Sequence, residues 1–273
     1  MTDIYSAADA AKATFQALME QVSGTKEINL STGFDRLDSH LYGFQPGKVT
    51  VLASQPSIGK TAYALNIVRN MLHKDSTKSL LYCSSDLDHI QLLLRFFCIE
   101  CGLEASKLLQ GELCCKQNLQ EITSAGTWIK DLPLWINPSC GISVEELKRK
   151  IRRFQKKHPL DLIIIDSLEL LKYQEPSTAV KTIRQIAKEY QLPILLLTTC
   201  YGKNKRCQLH DLPDGIVDNS DTIMFLERER KQMTDGEKAP AELIIARNTC
   251  GFTGTIPMEY EVKTMIFSEV NTD

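Results

Sequence analysis

Ser54-Gln55-Pro56-Ser57-Ile58-Gly59-Lys60-Thr61 lies between a short apolar run, residues 49–53, and a stretch with helical apolar spacing, residues 60–72. It follows the phosphate-binding loop pattern G-x-x-x-x-G-K-S/T, with serine at the first glycine position. Each retained residue type has a physical task. Gly59 lets the backbone turn so that successive amides converge on phosphate oxygens. Lys60 sets a cation against the β- and γ-phosphates, and the Thr61 hydroxyl offers a ligand to magnesium. The helix that begins here points the positive end of its dipole at the same place. With a strand before it and a helix after it, the loop from Ser54 to Thr61 is read as a site for ATP with Mg2+.

Outward from the loop, strand and helix alternate. Strands are predicted at residues 49–53, 79–83, 134–137, 162–166 and 193–198, and helices at about 60–72, 90–101, 144–158 and 179–190. Residues 222–227, 241–247, 255–262 and 264–270 read as strands with no helix between them. Repeated strand–helix units require a mainly parallel sheet flanked by helices on both faces, and the closing strands add an antiparallel extension. The fold class is α/β. An amphipathic helix at residues 5–22, with Ala7, Ala11, Phe15, Leu18, Met19 and Val22 near helical spacing, precedes this domain and stops at Ser23-Gly24-Thr25. It either packs on its own core or docks on a neighbouring subunit.

Two acidic positions serve the loop. Leu162-Ile163-Ile164-Ile165-Asp166 ends a buried strand in a carboxylate, which places Asp166 where it can hold magnesium beside Thr61. Asp86, in Ser84-Ser85-Asp86-Leu87-Asp88, follows the strand 79–83 and is the candidate base for an attacking water. Either Asp86 or Asp88 can instead cap the next helix.

The whole-chain properties set bounds. In 273 residues, 43% hydrophobic and 24% charged, there is enough apolar surface for a full core. A net charge of −2 excludes a generally basic chain, so nucleic acid would need a local patch or a ring that concentrates weak ones. No apolar run reaches the roughly 20 residues of a membrane span, and residues 1–9 lack the basic start and apolar centre of an export signal. Nine cysteines without such a signal point to a reducing, cytoplasmic compartment. Cys98 and Cys101 form a C-x-x-C near Cys114-Cys115, which reads as buried thiols on a helix face, with a zinc site as the alternative.

Ser31-Thr32-Gly33-Phe34-Asp35-Arg36-Leu37-Asp38, Gly43-Phe44-Gln45-Pro46-Gly47, Pro56–Ala62 and residues 162–166 together resemble the C-terminal ATPase domain of DnaB-type replicative helicases, over about residues 28–270. The resemblance implies a RecA-like fold over residues 28–273 and a linker-type helix in residues 1–27 that docks on the next subunit. It further implies a usually hexameric ring, with ATP between subunits, that translocates on single-stranded DNA in DNA replication, alongside other replication proteins. Asp86 falls on the family's catalytic glutamate, and Thr199 on the polar sensor that is usually glutamine. Arg247 falls on the first of two cations that reach the neighbour's ATP, and Thr249 on the arginine finger itself. Glu169 stands where the family has glutamine. The loops at residues 173–178 and 213–220 are shortened, and Lys203, Lys205 and Arg206 are the basic candidates for DNA. These departures leave an alternative, an ATP-binding regulatory or accessory paralogue with weak hydrolysis. A RecA-fold signalling ATPase of the clock-protein kind shares T-G-F-x-x-L-D, but the P-S-x-G-K-T loop argues against it.

Overall fold

The computed structural model describes residues 6–22, 29–104, 107–108, 116–138, 141–202, 206–229 and 238–270. Nine described strands form one sheet in the order β3-β2-β4-β5-β1-β6-β7-β8-β9. Strands β1 (Val49–Ser54), β2 (Leu80–Ser84), β3 (Leu134–Pro138), β4 (Leu162–Asp166), β5 (Ile194–Thr199) and β6 (Thr222–Arg228) run parallel. Strands β7 (Lys238–Asn248), β8 (Gly254–Glu261) and β9 (Ile266–Glu269) complete it antiparallel. Unbroken burial along β1, β2 and β4 explains why these strands read as continuous apolar runs: both faces are covered.

The helices are α1 (Ala7–Val22), α2 (Asp35–Leu41), α3 (Lys60–Lys74), α4 (His89–Cys101), α5 (Lys116–Lys130), α6 (Val144–Gln155), α7 (Pro176–Tyr190) and the short α8 (Ile216–Asn219). One face of the sheet packs against α2, α3 and α4 through Leu37, Tyr63, Ile67 and Phe96, with Trp128 and Ile129 of α5 at its margin. The other face packs against α6 and α7 through Leu147, Ile151, Val180 and Ile183. Local chemistry sets the helix ends. Asp88 and Gln91 form a capping box on α4, Ser143 accepts from the Glu146 amide at the start of α6, and Pro176 opens α7. Helices α2, α5 and α8 were not anticipated from the sequence. Cys98 is fully buried on α4, as a packed thiol would be, whereas Cys114 and Cys115 lie outside the described residues.

The run Ser31–Asp38 holds α2 against α3. Asp38 accepts from the Thr32 amide at 2.8 Å and from the Thr32 and Ser31 hydroxyls at 2.7 and 2.5 Å. Gly33 has φ +78 and lies so near α3 that a Cβ there would meet Asn70 Cβ at 2.4 Å. Phe34 stacks on Tyr63, and Tyr63 meets Phe267 edge-on. The start of α2 is capped from the far end of the chain: Glu269 accepts the Arg36 and Leu37 amides, each at 3.0 Å.

Candidate nucleotide site

The register aligns Ser54 with Thr199 and Ser84 with Asp166, so the carboxyl ends of β1, β5, β2 and β4 open at one edge of the sheet. There β1 ends in Ser54, which is fully buried; its carbonyl accepts the Cys200 amide at 2.9 Å and its hydroxyl donates to the Gln55 carbonyl at 2.8 Å. Position 54 is a strand residue outside the positive-φ set, which is why serine serves where the pattern has glycine. The turn falls instead on Ser57 (φ +62) and Gly59 (φ +120). Between them Ile58 is buried, while Pro56 and Ser57 are exposed.

The antiparallel extension supports this loop from behind. Arg228, at the end of β6, donates from Nε to the Ile58 carbonyl and from Nη2 to the Ser57 carbonyl, both at 3.1 Å. Its guanidinium lies 4.8 Å from the centroid of the Tyr260 ring. A peptide unit points its C=O and N–H in opposite directions, so tying these two carbonyls back sends the Ile58 and Gly59 amides the other way. Phe267 closes on Gly59, where a Cβ would meet its ring at 3.2 Å.

Lys60 Nζ donates to the Ser54 carbonyl at 3.3 Å, the Ser54 hydroxyl at 3.4 Å and the Thr199 hydroxyl at 3.3 Å. Burial lowers its pKa below the usual lysine value, and the charges of Glu169 and then Asp166 pull it back up. Asp166 is buried, which raises its carboxyl; hydrogen bonds from Tyr82 (2.8 Å) and Thr61 oppose that shift. The two residues expected to share magnesium, Thr61 and Asp166, are therefore already in contact. Their hard oxygens fit such an ion. Glu169 accepts from the Thr198 hydroxyl and the Thr199 amide with Oε1, which fixes the position expected to act as sensor. Its Oε2 is buried without a hydrogen bond.

Of the two aspartates after β2, only one takes up the helix-cap alternative. Asp88 caps α4, accepting from the Gln91 amide at 2.8 Å. Asp86 is exposed, with no hydrogen bond or ion pair among the described residues, and its charge acts on Asp166. The Ser85 amide donates to the Asp166 carbonyl at 2.7 Å, tying this segment to β4. Arg247 does not join the group. It pairs with Ile223, which itself aligns with Val51, three residues before the end of β1, and it donates to the Val217 carbonyl. Thr249 lies beyond it, exposed, its amide on the Asp221 carbonyl at 3.0 Å. Arg206 is in an ion pair with Glu242 at 2.7 Å, and Lys203 and Lys205 lie outside the described residues.

Sequence reasoning missed Tyr82 and Arg228. Tyr82 looks like a core aromatic in an apolar strand; only its place beside β4 reveals that the hydroxyl meets Asp166. Arg228 is the cation that ends β6, and nothing local marks its partner loop 170 residues earlier.

Residues 29–269 match the family model of the DnaB-like helicase C-terminal domain. The replicative DNA helicase DnaC of Bacillus subtilis (strain 168) is 30% identical over 248 residues, covering 85% of this chain and 54% of that protein. The replicative DNA helicase DnaB of Geobacillus stearothermophilus is 28% identical over the same shares. The chain thus spans about half the length of the curated relatives it matches. Among solved structures, one described as an ATPase domain superposes with a TM-score of 0.84 at 21% identity, over 98% of this chain and all of that one. A DnaB-like replicative helicase, described with its interactions with primase, superposes at 0.82 and 22% identity over 98% of this chain and 68% of its own. No described helix is long and apolar enough to cross a membrane. The fold is that of the RecA-like ATPase domains, and the chain belongs to the DnaB-like helicase C-terminal domain family.

Proposed function

We propose that this chain is the ATP-hydrolysing motor of a DnaB-like replicative helicase, working as a hexameric ring on single-stranded DNA in the cytoplasm. The observation that carries this reading is the convergence of Lys60, Thr199, Thr61 and Asp166 at the mouth of the loop 54–61. The loop amides and Lys60 bind the β- and γ-phosphates, whose charge compensates the burial that depresses Lys60. Mg2+ held by Thr61 and Asp166 would offset charge on the phosphate oxygens. Asp86, unpartnered and exposed, accepts the proton of the attacking water. Thr199, held by Glu169 and bonded to Lys60, senses the γ-phosphate. Arg247 acts in trans, since its own strand carries it away from Lys60. In α1, Phe15 and Met19 are largely exposed, which supports the linker role for residues 1–27 and the separation from a domain over residues 28–273. The primase interactions of the DnaB-like structural relative support a second replication protein as partner.

The relatives favour this reading over that of an accessory paralogue without turnover. The test is the ATPase rate against single-stranded DNA concentration, with the mass of the assembly measured in parallel. Stimulation by DNA, abolished in Lys60→Ala, is expected. ATP binding without turnover at any DNA concentration would reject the motor.

A further inference from the structure

A second concave surface lies away from the nucleotide loop, where β3 forms one edge of the sheet beside α6. It encloses a cavity of about 390 Å3. Its floor is apolar: Leu81 and Trp135, which are register partners on β2 and β3, together with Ile151 and Phe154 of α6. Trp135 meets Phe154 edge-on with ring centroids 5.1 Å apart, and His158 stacks on Phe154 at 4.7 Å. More than a third of Trp135 is nevertheless exposed, an unusual state for an indole on a sheet face.

The rim is cationic. Lys150, Arg153 and Lys157 stand at i, i+3 and i+7 along α6 and the turn that continues it, and all three line the cavity. Arg153 and Lys157 form no ion pair among the described residues, and Lys150 reaches only Glu146, at 3.9 Å in an exposed pair. At the helical rise these residues are spaced by about 4.5 and 6 Å along the axis. Same-face residues of an extended peptide are about 6.6 Å apart, which sets alternate acidic side chains within reach of these long, flexible cations.

The strand beside the cavity lies at the edge of the described sheet. β3 pairs only with β2 among the described strands. The Pro133 carbonyl accepts the Leu80 amide at 2.9 Å, so alternation turns the N–H and C=O groups of Leu134 and Ile136 outward. A polypeptide can pair with such a ladder, whereas a nucleic acid strand has no matching set of amides and carbonyls. An apolar floor, a cationic rim and an edge strand all suit one kind of occupant.

We propose that this groove docks an acidic peptide segment of a partner protein, added in extended form along β3, with one aromatic or large aliphatic anchor on Trp135 and Phe154. Neither Lys60 nor Asp166 lies here, so this proposal stands apart from ATP turnover. The experiment selects short displayed peptides from a random library against the full chain, then measures a selected peptide by Trp135 emission in a Trp128→Phe background. Arg153→Glu with Lys157→Glu reverses the rim while leaving the core intact. Selected peptides should carry Asp or Glu around one apolar anchor, shift Trp135 emission, and lose affinity at least about tenfold in the reversed variant. Binding of a fluorescent ATP analogue should stay unchanged. Selected peptides lacking acidic residues, or binding indifferent to the reversed rim, would overturn the proposal. It also fails if the reversed variant changes the mass of the assembly, which would make the occupant a second copy. An oligo(dT) strand that shifts Trp135 emission through Arg153 and Lys157, where no peptide does, would assign the groove to nucleic acid instead.

Discussion

Arg228→Ala should weaken nucleotide binding without unfolding the domain. The side chain makes two charge-assisted hydrogen bonds to the Ser57 and Ile58 carbonyls and one cation–π contact with Tyr260. Hydrogen bonds to a charged group are worth about 1.5–3 kcal/mol, and this arginine is partly exposed, so about 1 kcal/mol each is appropriate. The ring contact adds roughly 0.5 kcal/mol. The total, about 2.5 kcal/mol, stabilises a loop that holds Ser57 at φ +62 and Gly59 at φ +120. If the loop relaxes when the brace is removed, the ligand must restore the conformation at that cost. Since 1.4 kcal/mol is tenfold in affinity, Kd should rise by up to about 60-fold. Titration with a fluorescent ATP analogue reads this directly, and thermal unfolding without nucleotide checks that the fold persists. A Kd within about twofold of the wild type would show that the carbonyl ties do not hold the loop in its binding form.

Asp166→Asn should raise the melting temperature of the nucleotide-free protein at pH 7 while abolishing the magnesium-dependent gain in ATP affinity. Burial raises the folded-state pKa of this carboxyl. Its charge therefore costs nothing below the unfolded value and its full amount above the folded one, and stability falls as pH rises between them. Asparagine removes that cost; a rise of a few degrees, at roughly 2–4 °C per kcal/mol, should appear by scanning fluorimetry and should shrink at low pH. Thr249→Arg, at an exposed position, should raise DNA-stimulated ATPase at least about tenfold, since such fingers are worth roughly 10³–10⁵. Asp86→Glu should add a separate gain by moving the base outward by about one methylene, and steady-state rates of the two single variants and the double distinguish these effects. Mixing Lys60→Ala with Arg247→Ala should recover part of the ATPase activity that each lacks alone, because intact halves then meet across mixed interfaces.

The strands were legible because the sheet is covered on both faces: β4 has no polar residue before Asp166, and no polar face could blur its pattern. The phosphate loop was legible because its chemistry is contiguous. Residues joined by topology alone were not. Glu269 caps α2 from 233 positions away, and Arg228 reaches the loop across 170. Both become partners only once β6–β9 extend the sheet past β1. Helix α5 escaped because its buried residues are few: Ala125 is enclosed, while Leu119 is exposed and Trp128 and Ile129 are only partly covered. The two aspartates after β2 could not be separated by type, since either satisfies an N-cap. The capping box with Gln91 is what assigns Asp88 to the helix and leaves Asp86 as the candidate.

Topology also determines how binding and turnover are divided. The groups proposed to grip a triphosphate come from the carboxyl edge of one chain: the loop, Thr61, Asp166 and Thr199. Strand β7 runs antiparallel to β6, so Arg247 ends level with Val51, where it donates to the Val217 carbonyl. A strand rises about 3.3 Å per residue, and three residues of β1 plus the loop separate the two groups. On the proposed reading, one chain grips the nucleotide but does not bring Arg247, the cation proposed to stabilise charge as the phosphoryl bond breaks, to its own site. Under the proposed ring, assembly supplies that cation, and the exposed apolar residues of α1 give assembly an independent handle. At Thr249 the backbone is fixed on Asp221, while the side chain has no charge to offer a neighbour.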